Sequence, residues 1–372
     1  MKKTLIGTSA LIAVGLLTAQ GASAADRISL GLSGNYRVLG GIVNQDDGTG
    51  QSAAGSRNHG IGTDGKINFG GSTTLDNGLE VGVRVELEAQ TVGDTIDEHY
   101  VWIENTDVWG RIEMGDRDGA DNKMNVLAPF VFGSAIVGCQ VIRLVNPPAN
   151  SAGINCIVPG LSGDSTKLTY FTPRFSGVQL GLSYTPDQAE NLGATFGTEI
   201  TGDDAAAGEV GEIMEIGANW NGNFGDASVR ASAGYATADA EGALSNDRDK
   251  WTLAATVSMN GWSLGGQYQN DETNGGAVTA TNTQRDDISW RAGLSYSTGA
   301  WLLGAEYFNR EVDITATASD EATVWGVGAK RNLGAGVSAG LGVHIWDWKD
   351  DANALAGEND ATEFFFVTEI SF

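Results

Sequence analysis

Beyond Ala24 the chain has no apolar run approaching the about 20 residues that a membrane helix requires. Helical spanning is therefore excluded there. Basic residues are scarce, 22 Lys and Arg against 47 Asp and Glu, for a net charge of −25. That balance argues against a nucleic-acid partner, because phosphate binding rests on Lys and Arg. Histidine is nearly absent. His59, His99 and His344 stand in no Gly-x-Ser-x-Gly or His-Glu-x-x-His context, so no catalytic residue is assigned and the chain is not expected to be an enzyme. The only cysteines are Cys139 and Cys156, and no neighbouring His or Cys completes a zinc set, so no metal ligand is assigned. Proline is rare, and Pro129, Pro147, Pro148 and Pro159 crowd into one stretch, Asp116 to Asp164.

What is present begins with an export signal over residues 1–24. Lys2 and Lys3 form its charged end, Leu5 to Leu17 its short apolar run, and Ala22-Ser23-Ala24 its cleavage site. The remainder, 25–372, shows no linker and no change of pattern, and is expected to be a single domain.

That remainder alternates with period two. In Leu79–Gln90, Leu79, Val81, Val83, Val85 and Leu87 share one face, and Glu80, Arg84, Glu86 and Glu88 the other. Strands are predicted at Arg27–Leu39, Lys66–Leu75, Leu79–Gln90, His99–Asn105, Arg111–Gly115, Thr166–Thr172, Val178–Thr185, Glu212–Trp220, Ala227–Thr237 and Lys250–Met259. They continue at Trp262–Asn270, Asp287–Ser297, Trp301–Val312, Thr323–Arg331, Val337–Asp347 and Thr362–Phe372. Short Gly/Asn/Asp turns alternate with long acidic connections, the signature of an outer-membrane barrel. The fold class is all-β: a sixteen-stranded antiparallel transmembrane β-barrel with a long inward-folded third loop.

The apolar face must meet lipid. Trp251, Leu253, Val257 and Met259 face one way, and Lys250, Thr252, Thr256 and Ser258 the other. Burying that second set unpaired costs several kcal/mol in hydrocarbon, so it must be wet. Aromatics support this. Tyr184, Tyr235, Trp251, Tyr268 and Tyr307 fall at the loop ends of the apolar face, and Trp220, Trp262, Tyr296 and Trp301 at the turn ends, as a bilayer interface selects. A soluble sandwich would hide such rings mid-strand.

Between Asp116 and Asp164 the alternation fails. A structureless insert of this length is functional or disordered, and Val126, Leu127, Phe130, Val131 and Phe132 argue against disorder. It is read as a folded loop, 116–164, packed against the inside of the barrel.

Three motifs resemble bacterial outer-membrane general-diffusion porins of the Gram-negative, alphaproteobacterial type. Gly110-Arg-Ile-Glu-Met-Gly115-Asp116 resembles the strand leading into their third loop. Tyr170-Phe-Thr-Pro-Arg-Phe-Ser-Gly177 resembles the hairpin after it. The last strand, ending in Phe372, resembles the signal read by the barrel-assembly machinery. The resemblance implies a homotrimer in the outer membrane, reached through the periplasm and surrounded by outer-membrane lipid and lipopolysaccharide. It implies that the loop after Gly115 sets the narrowest point. Enteric porins carry Arg directly after that glycine, whereas here Asp116 comes first and Arg117 second, so their charge arrangement does not transfer.

On strand parity Arg37, Lys66 and Arg84 point into the lumen, and the loop offers Asp116, Asp118 and Asp121 as facing carboxylates, with Arg117 among them. Such a pairing filters by charge. With Glu80, Glu86, Glu88, Glu215 and Glu306 also inward, the expected channel is water-filled and weakly cation-preferring. Passage through the periplasm favours a Cys139–Cys156 disulfide over two free thiols, worth ~3 kcal/mol on the chain-entropy model. No cofactor is expected. Structural calcium is the alternative, because related porins hold calcium near this loop and Asp116/Asp118/Asp121 or Asp203/Asp204 offer carboxylate oxygens. The rival functions are a solute-specific porin, with inward Phe171 and Trp346 as a sugar slide, and a secreted β-rich adhesin or carbohydrate-binding protein.

Overall fold

A computed structural model describes residues 27–45, 57–89, 95–132, 144–147, 157–188, 210–241, 247–273, 285–315, 318–350 and 359–372. Residues 1–24, read from sequence as an export signal, both cysteines and Asp203/Asp204 lie outside these residues.

Sixteen strands close a barrel in which each pairs antiparallel with its chain neighbours. They are β1 (Gly31–Gln45), β2 (His59–Thr74), β3 (Glu80–Glu88), β4 (Ile96–Asn105), β5 (Gly110–Asp116), β6 (Thr166–Phe171), β7 (Val178–Asp187) and β8 (Val210–Phe224). The second half comprises β9 (Ala227–Ala240), β10 (Arg248–Met259), β11 (Trp262–Thr273), β12 (Arg285–Thr298), β13 (Trp301–Thr315), β14 (Ala318–Gly334), β15 (Val337–Asp350) and β16 (Asn359–Ser371). β1 closes on β16 with Arg37 opposite Glu369 and Ile42 opposite Phe364.

Every predicted strand exists, and most run further toward the long-loop side than the apolar pattern indicates. β2 begins at His59 rather than Lys66, and β14 at Ala318 rather than Thr323. The physical reason is that backbone pairing continues above the membrane, where side chains need not alternate in polarity. β1 is displaced, Gly31–Gln45 instead of Arg27–Leu39, because its register is set by two neighbours at once.

The inside-out logic holds. On β10, Trp251 and Leu253 are 52% and 54% exposed while Lys250 and Thr252 are buried. Outward rings touch across strands: Tyr235 and Trp251 at 4.4 Å, Trp290 and Tyr307 at 4.5 Å, Tyr307 and Trp325 at 4.4 Å, and Trp262 and Tyr296 at 4.5 Å near the turn end. Among the described residues every outward ring pair lies on β8–β14.

Candidate functional site: the lumen and its loop

The lumen is divided between a loop-covered wall and a charged wall. After β5 the chain turns inward to a short helix, α1 (Ala120–Met124). Small residues on the wall make its seat. A Cβ on Gly217 would stand 2.6 Å from Ala120 O, and one on Gly234 would stand 1.6 Å from Asp121 Oδ1. Only glycine admits the helix so close.

Buried polar groups hold the neck of the loop. Glu215 of β8 accepts the backbone N–H groups of Leu161 at 2.9 Å and Ser162 at 3.0 Å. Asp121 accepts from Thr252 Oγ1 at 2.6 Å and from Gly160 N at 3.1 Å. Lys250 Nζ donates to Gly160 O at 2.8 Å and pairs with Asp271 at 2.9 Å. Lys167 Nζ donates to the carbonyls of Arg117, Gly163 and Ser165, tying the loop's two ends together. The outgoing and returning limbs are thus fastened to the wall and to each other.

From α1 the described limb follows the inner wall. Val126 N donates to Ser232 Oγ at 2.9 Å and Ala128 N to Gln267 Oε1 at 3.0 Å. Arg291 lies over the Phe130 ring at 4.6 Å, and Phe132 meets Phe365 edge-on at 5.2 Å. Leu144 N donates to Glu363 Oε1 at 3.1 Å, and Asn146 and Gln45 exchange two hydrogen bonds. Val145 and Ile157 join Phe308, Val324, Trp346 and Trp348 in an apolar cluster beneath the loop. Trp346 is 1% exposed and Phe171 5%. Neither ring is open to a solute, so these two residues do not form the aromatic slide of the rival solute-specific reading.

On the opposite wall Arg37, Lys66 and Arg84 occupy neighbouring strands, as parity indicated, but wall carboxylates already hold them. Arg37 pairs with Glu369 at 3.3 Å and Asp64 at 3.7 Å. Lys66 pairs with Asp97 at 2.7 Å, Glu86 at 2.8 Å and Glu88 at 2.9 Å, and Arg84 with Glu86 at 2.5 Å. Arg111 joins Glu113 at 2.6 Å and lies over Trp102 at 4.7 Å.

The expected opposition of loop carboxylates to these cations is not formed. Asp116 ends β5 on the outer face, 3.1 Å from His99 Nδ1 and accepting from Thr166 Oγ1. Asp121 turns away from the lumen into the neck, 1% exposed. Arg117 crosses to the charged wall, pairing with Glu98 at 2.6 Å and stacking on Tyr100 at 4.2 Å. Asp118 accepts from Asn122 Nδ2 at 2.6 Å. The physical reason is loop geometry. Alternation continues through Asp116 and sends it outward, and α1 then rotates Asp121 toward β9 and β10.

Asp118 instead joins Glu98 and Asp164, with one carboxylate oxygen of each within 4.8 Å of the others. Asp164 Oδ1 is buried without a hydrogen-bond partner. Burial pushes Asp164 up to about 8, and Asp118, Asp97 and Glu98 add to that shift. Burial and then Glu98 push Asp118 up to about 6, and burial pushes Asp121 up to about 6. Three oxygen donors with an orphaned oxygen suit a hard cation such as calcium, though the set differs from either expected from sequence.

Phe372 extends the closing seam. It exchanges backbone hydrogen bonds with Gly34 at 2.8 and 3.0 Å, with its ring outward and 58% exposed. Sequence reasoning missed Glu215, Glu363, Lys167 and Lys250 as loop anchors. Inward parity was available for each, but their loop partners were not.

The closed barrel recurs in solved porins. An anion-selective porin from Comamonas acidovorans superposes with a TM-score of 0.62 at 19% identity, covering 93% of this chain and 100% of that one. In vitro folded OmpT of Vibrio cholerae, in a trimer form, gives 0.61 at 12% identity, covering 93% and 100%. A porin refined at 1.8 Å gives 0.57 at 20% identity, covering 92% and 100%. No curated protein sequence matches. The model of the family described as Gram-negative porin matches residues 7–344. With that match over nearly the whole of a sixteen-stranded barrel, the chain belongs to the Gram-negative porins, channel proteins of the outer membrane.

Proposed function

We propose that the protein forms a water-filled pore for passive diffusion of ions and small hydrophilic solutes, with weak cation preference. The described loop residues, 116–132, 144–147 and 157–164, narrow the lumen from the β7–β16 side. The observation that carries the preference is the charge balance of the opposite wall. Five cations, Arg37, Lys66, Arg84, Arg111 and Arg117, share eight carboxylates: Asp64, Glu86, Glu88, Asp97, Glu98, Glu104, Glu113 and Glu369. A wall whose cations are all neutralised and whose residual charge is negative attracts cations. The related Comamonas acidovorans protein is anion-selective, and the paired wall is the reason to expect a different sign here.

Calcium at Glu98, Asp118 and Asp164 would offset the repulsion among three carboxylates and tie both ends of the loop to β4. The family and the trimer form of OmpT support a homotrimer, and outer-membrane lipid and lipopolysaccharide would surround the rest. The outward Phe372 fits recognition by the barrel-assembly machinery, after export directed by residues 1–24. Liposome swelling with a solute panel tests the reading. Rates that fall smoothly with solute size support general diffusion, and saturation by one sugar class would replace it with a solute-specific porin. Reversal potentials in a KCl gradient test the sign of selectivity.

A further inference from the structure

Glu306 on β13, Gly326 on β14, His344 on β15 and Glu363 on β16 stand in one row, each directly opposite the next. Gly326 lets the row close over β14. A Cβ there would stand 2.9 Å from both Glu306 Cγ and His344 Cδ2. Across that gap His344 Nε2 lies 3.6 Å from Glu306 Oε1, and its Nδ1 lies 3.4 Å from Glu363 Oε2. The three side chains are buried, at 3% exposure for His344, 5% for Glu306 and 1% for Glu363. Only an imidazolium carries a proton on both ring nitrogens. A neutral ring would turn a lone pair toward one of two buried carboxylates, an arrangement low-dielectric surroundings penalise.

The row is joined to the loop at both ends. Glu363 Oε1 accepts the Leu144 N–H at 3.1 Å, while its Oε2 accepts Trp346 Nε1 at 3.2 Å. Glu306 Oε2 accepts from Arg291 Nη2 at 2.6 Å, and that guanidinium covers Phe130. The His344 ring lies 4.6 Å from Phe365, which in turn holds Phe132.

We propose that His344 is a positioning residue for the channel. As imidazolium it bridges Glu306 and Glu363 and so holds the loop at Phe130, Phe132 and Leu144 against β12–β16. Loss of its proton frees Glu363 from the bridge and lets that limb lean into the lumen. The charged groups facing it are Glu306 from β13 and Glu363 from β16, with Arg291 of β12 behind Glu306. β14 presents Gly326, β15 itself Trp346, and the loop the backbone of Leu144. The inference rests on the channel reading only for its effect on conductance. The seating of the loop can be measured without it.

The test uses full-length protein in lipid, scanned from about pH 5 to about pH 9, where histidine charge changes are found. Amide exchange at Leu144, corrected for intrinsic pH dependence, is read by mass spectrometry beside single-channel conductance. In the wild type, exchange rises on the order of tenfold through one transition, the factor of one charge-assisted hydrogen bond. Conductance falls and flickers over the same range. His344→Gln exchanges fast at every pH and lacks the transition. Glu306→Gln, which keeps the histidine, moves the transition to lower pH. Heat-modifiable gel migration identifies folded barrel for each variant. An exchange step without any current would overturn the channel reading and leave the bridge supported. A step that persists in folded His344→Gln, or its absence from the wild type, would overturn the bridge.

Discussion

Gly119 and Glu215 are packed so closely that a Cβ on the glycine would stand 1.8 Å from the carboxylate Oε2. The same carboxylate receives Leu161 N and Ser162 N from the returning limb. One wall residue therefore fixes both limbs. Gly119→Ala must displace either the loop or the carboxylate, and Glu215→Ala leaves two buried N–H groups unmet, each costing ~1–3 kcal/mol. Both variants are expected to form barrels with altered and noisier single-channel conductance, while Ser228→Ala near the turn end of β9 changes nothing. Wild-type conductance in both neck variants would remove Glu215 from the account of pore size.

The proposed selectivity rests on ion pairs rather than isolated cations. Arg117 neutralises Glu98 at 2.6 Å and Glu113 at 3.2 Å. Arg117→Gln bares Glu98 and leaves Glu113 to Arg111 alone, and is expected to raise the cation-over-anion permeability ratio by about twofold, the effect of roughly 0.4 kcal/mol at the site. Glu98→Gln should act in the opposite direction. Reversal potentials at low salt, where screening is weakest, measure both. Equal shifts of the same sign would contradict the paired-wall picture.

The carboxylate group at the loop base supplies a pH dependence whose sign can be worked out. Asp118 and Asp164 are raised to about 6 and about 8. Their protonated forms therefore favour the folded state. That contribution is complete below the ordinary carboxylate range and is lost as pH rises through about 6 and about 8. In chelator the barrel should lose heat resistance across that interval. Calcium requires the deprotonated carboxylates, so added calcium should restore resistance most at the alkaline end. Asp164→Asn should flatten both responses. Melting followed by gel migration decides it, and a calcium effect undiminished in Asp164→Asn would exclude this cluster as the binding place.

The barrel was legible because its physics is local. Period two on Leu79–Gln90 and the Asn260-Gly261 turn each specify their own strand or hairpin, and an even strand count brings the first and last strands to where they can pair antiparallel. The loop was legible only as an exception to that pattern. Asp121 resembles a pore carboxylate in sequence, yet Gly234 gives it a place in the wall. His344 showed no partner in sequence because Glu306 and Glu363 lie far off along the chain. Only the register brings them together. Local pattern specifies which face a residue takes, and long-range pairing decides whether its charge remains free.

The outer surface has two characters, and one comparison separates them. β8–β14 carry the outward ring pairs, whereas β4–β6 carry the His99–Asp116–Thr166 cluster. Among the described residues the β4–β6 face carries no outward ring pair of the kind a lipid interface selects, so it suits contact with partner copies of the chain. Leu253→Arg on β10 places a charge in lipid, at ~2–4 kcal/mol near the midplane, and is expected to reduce the yield of folded barrel. Val101→Arg on β4, 41% exposed in the single chain, is expected instead to leave folded barrels that migrate as monomers on semi-native gels. Asp116→Ala, which strips the partner from His99, should lower the temperature at which trimers dissociate without changing the melting of the monomer. If Val101→Arg trimers survive like the wild type while Leu253→Arg barrels fold normally, the assignment of lipid to β8–β14 and of protein to β4–β6 is wrong. The two substitutions carry the same charge on similarly exposed outward positions, so only what lies opposite them can make their outcomes differ.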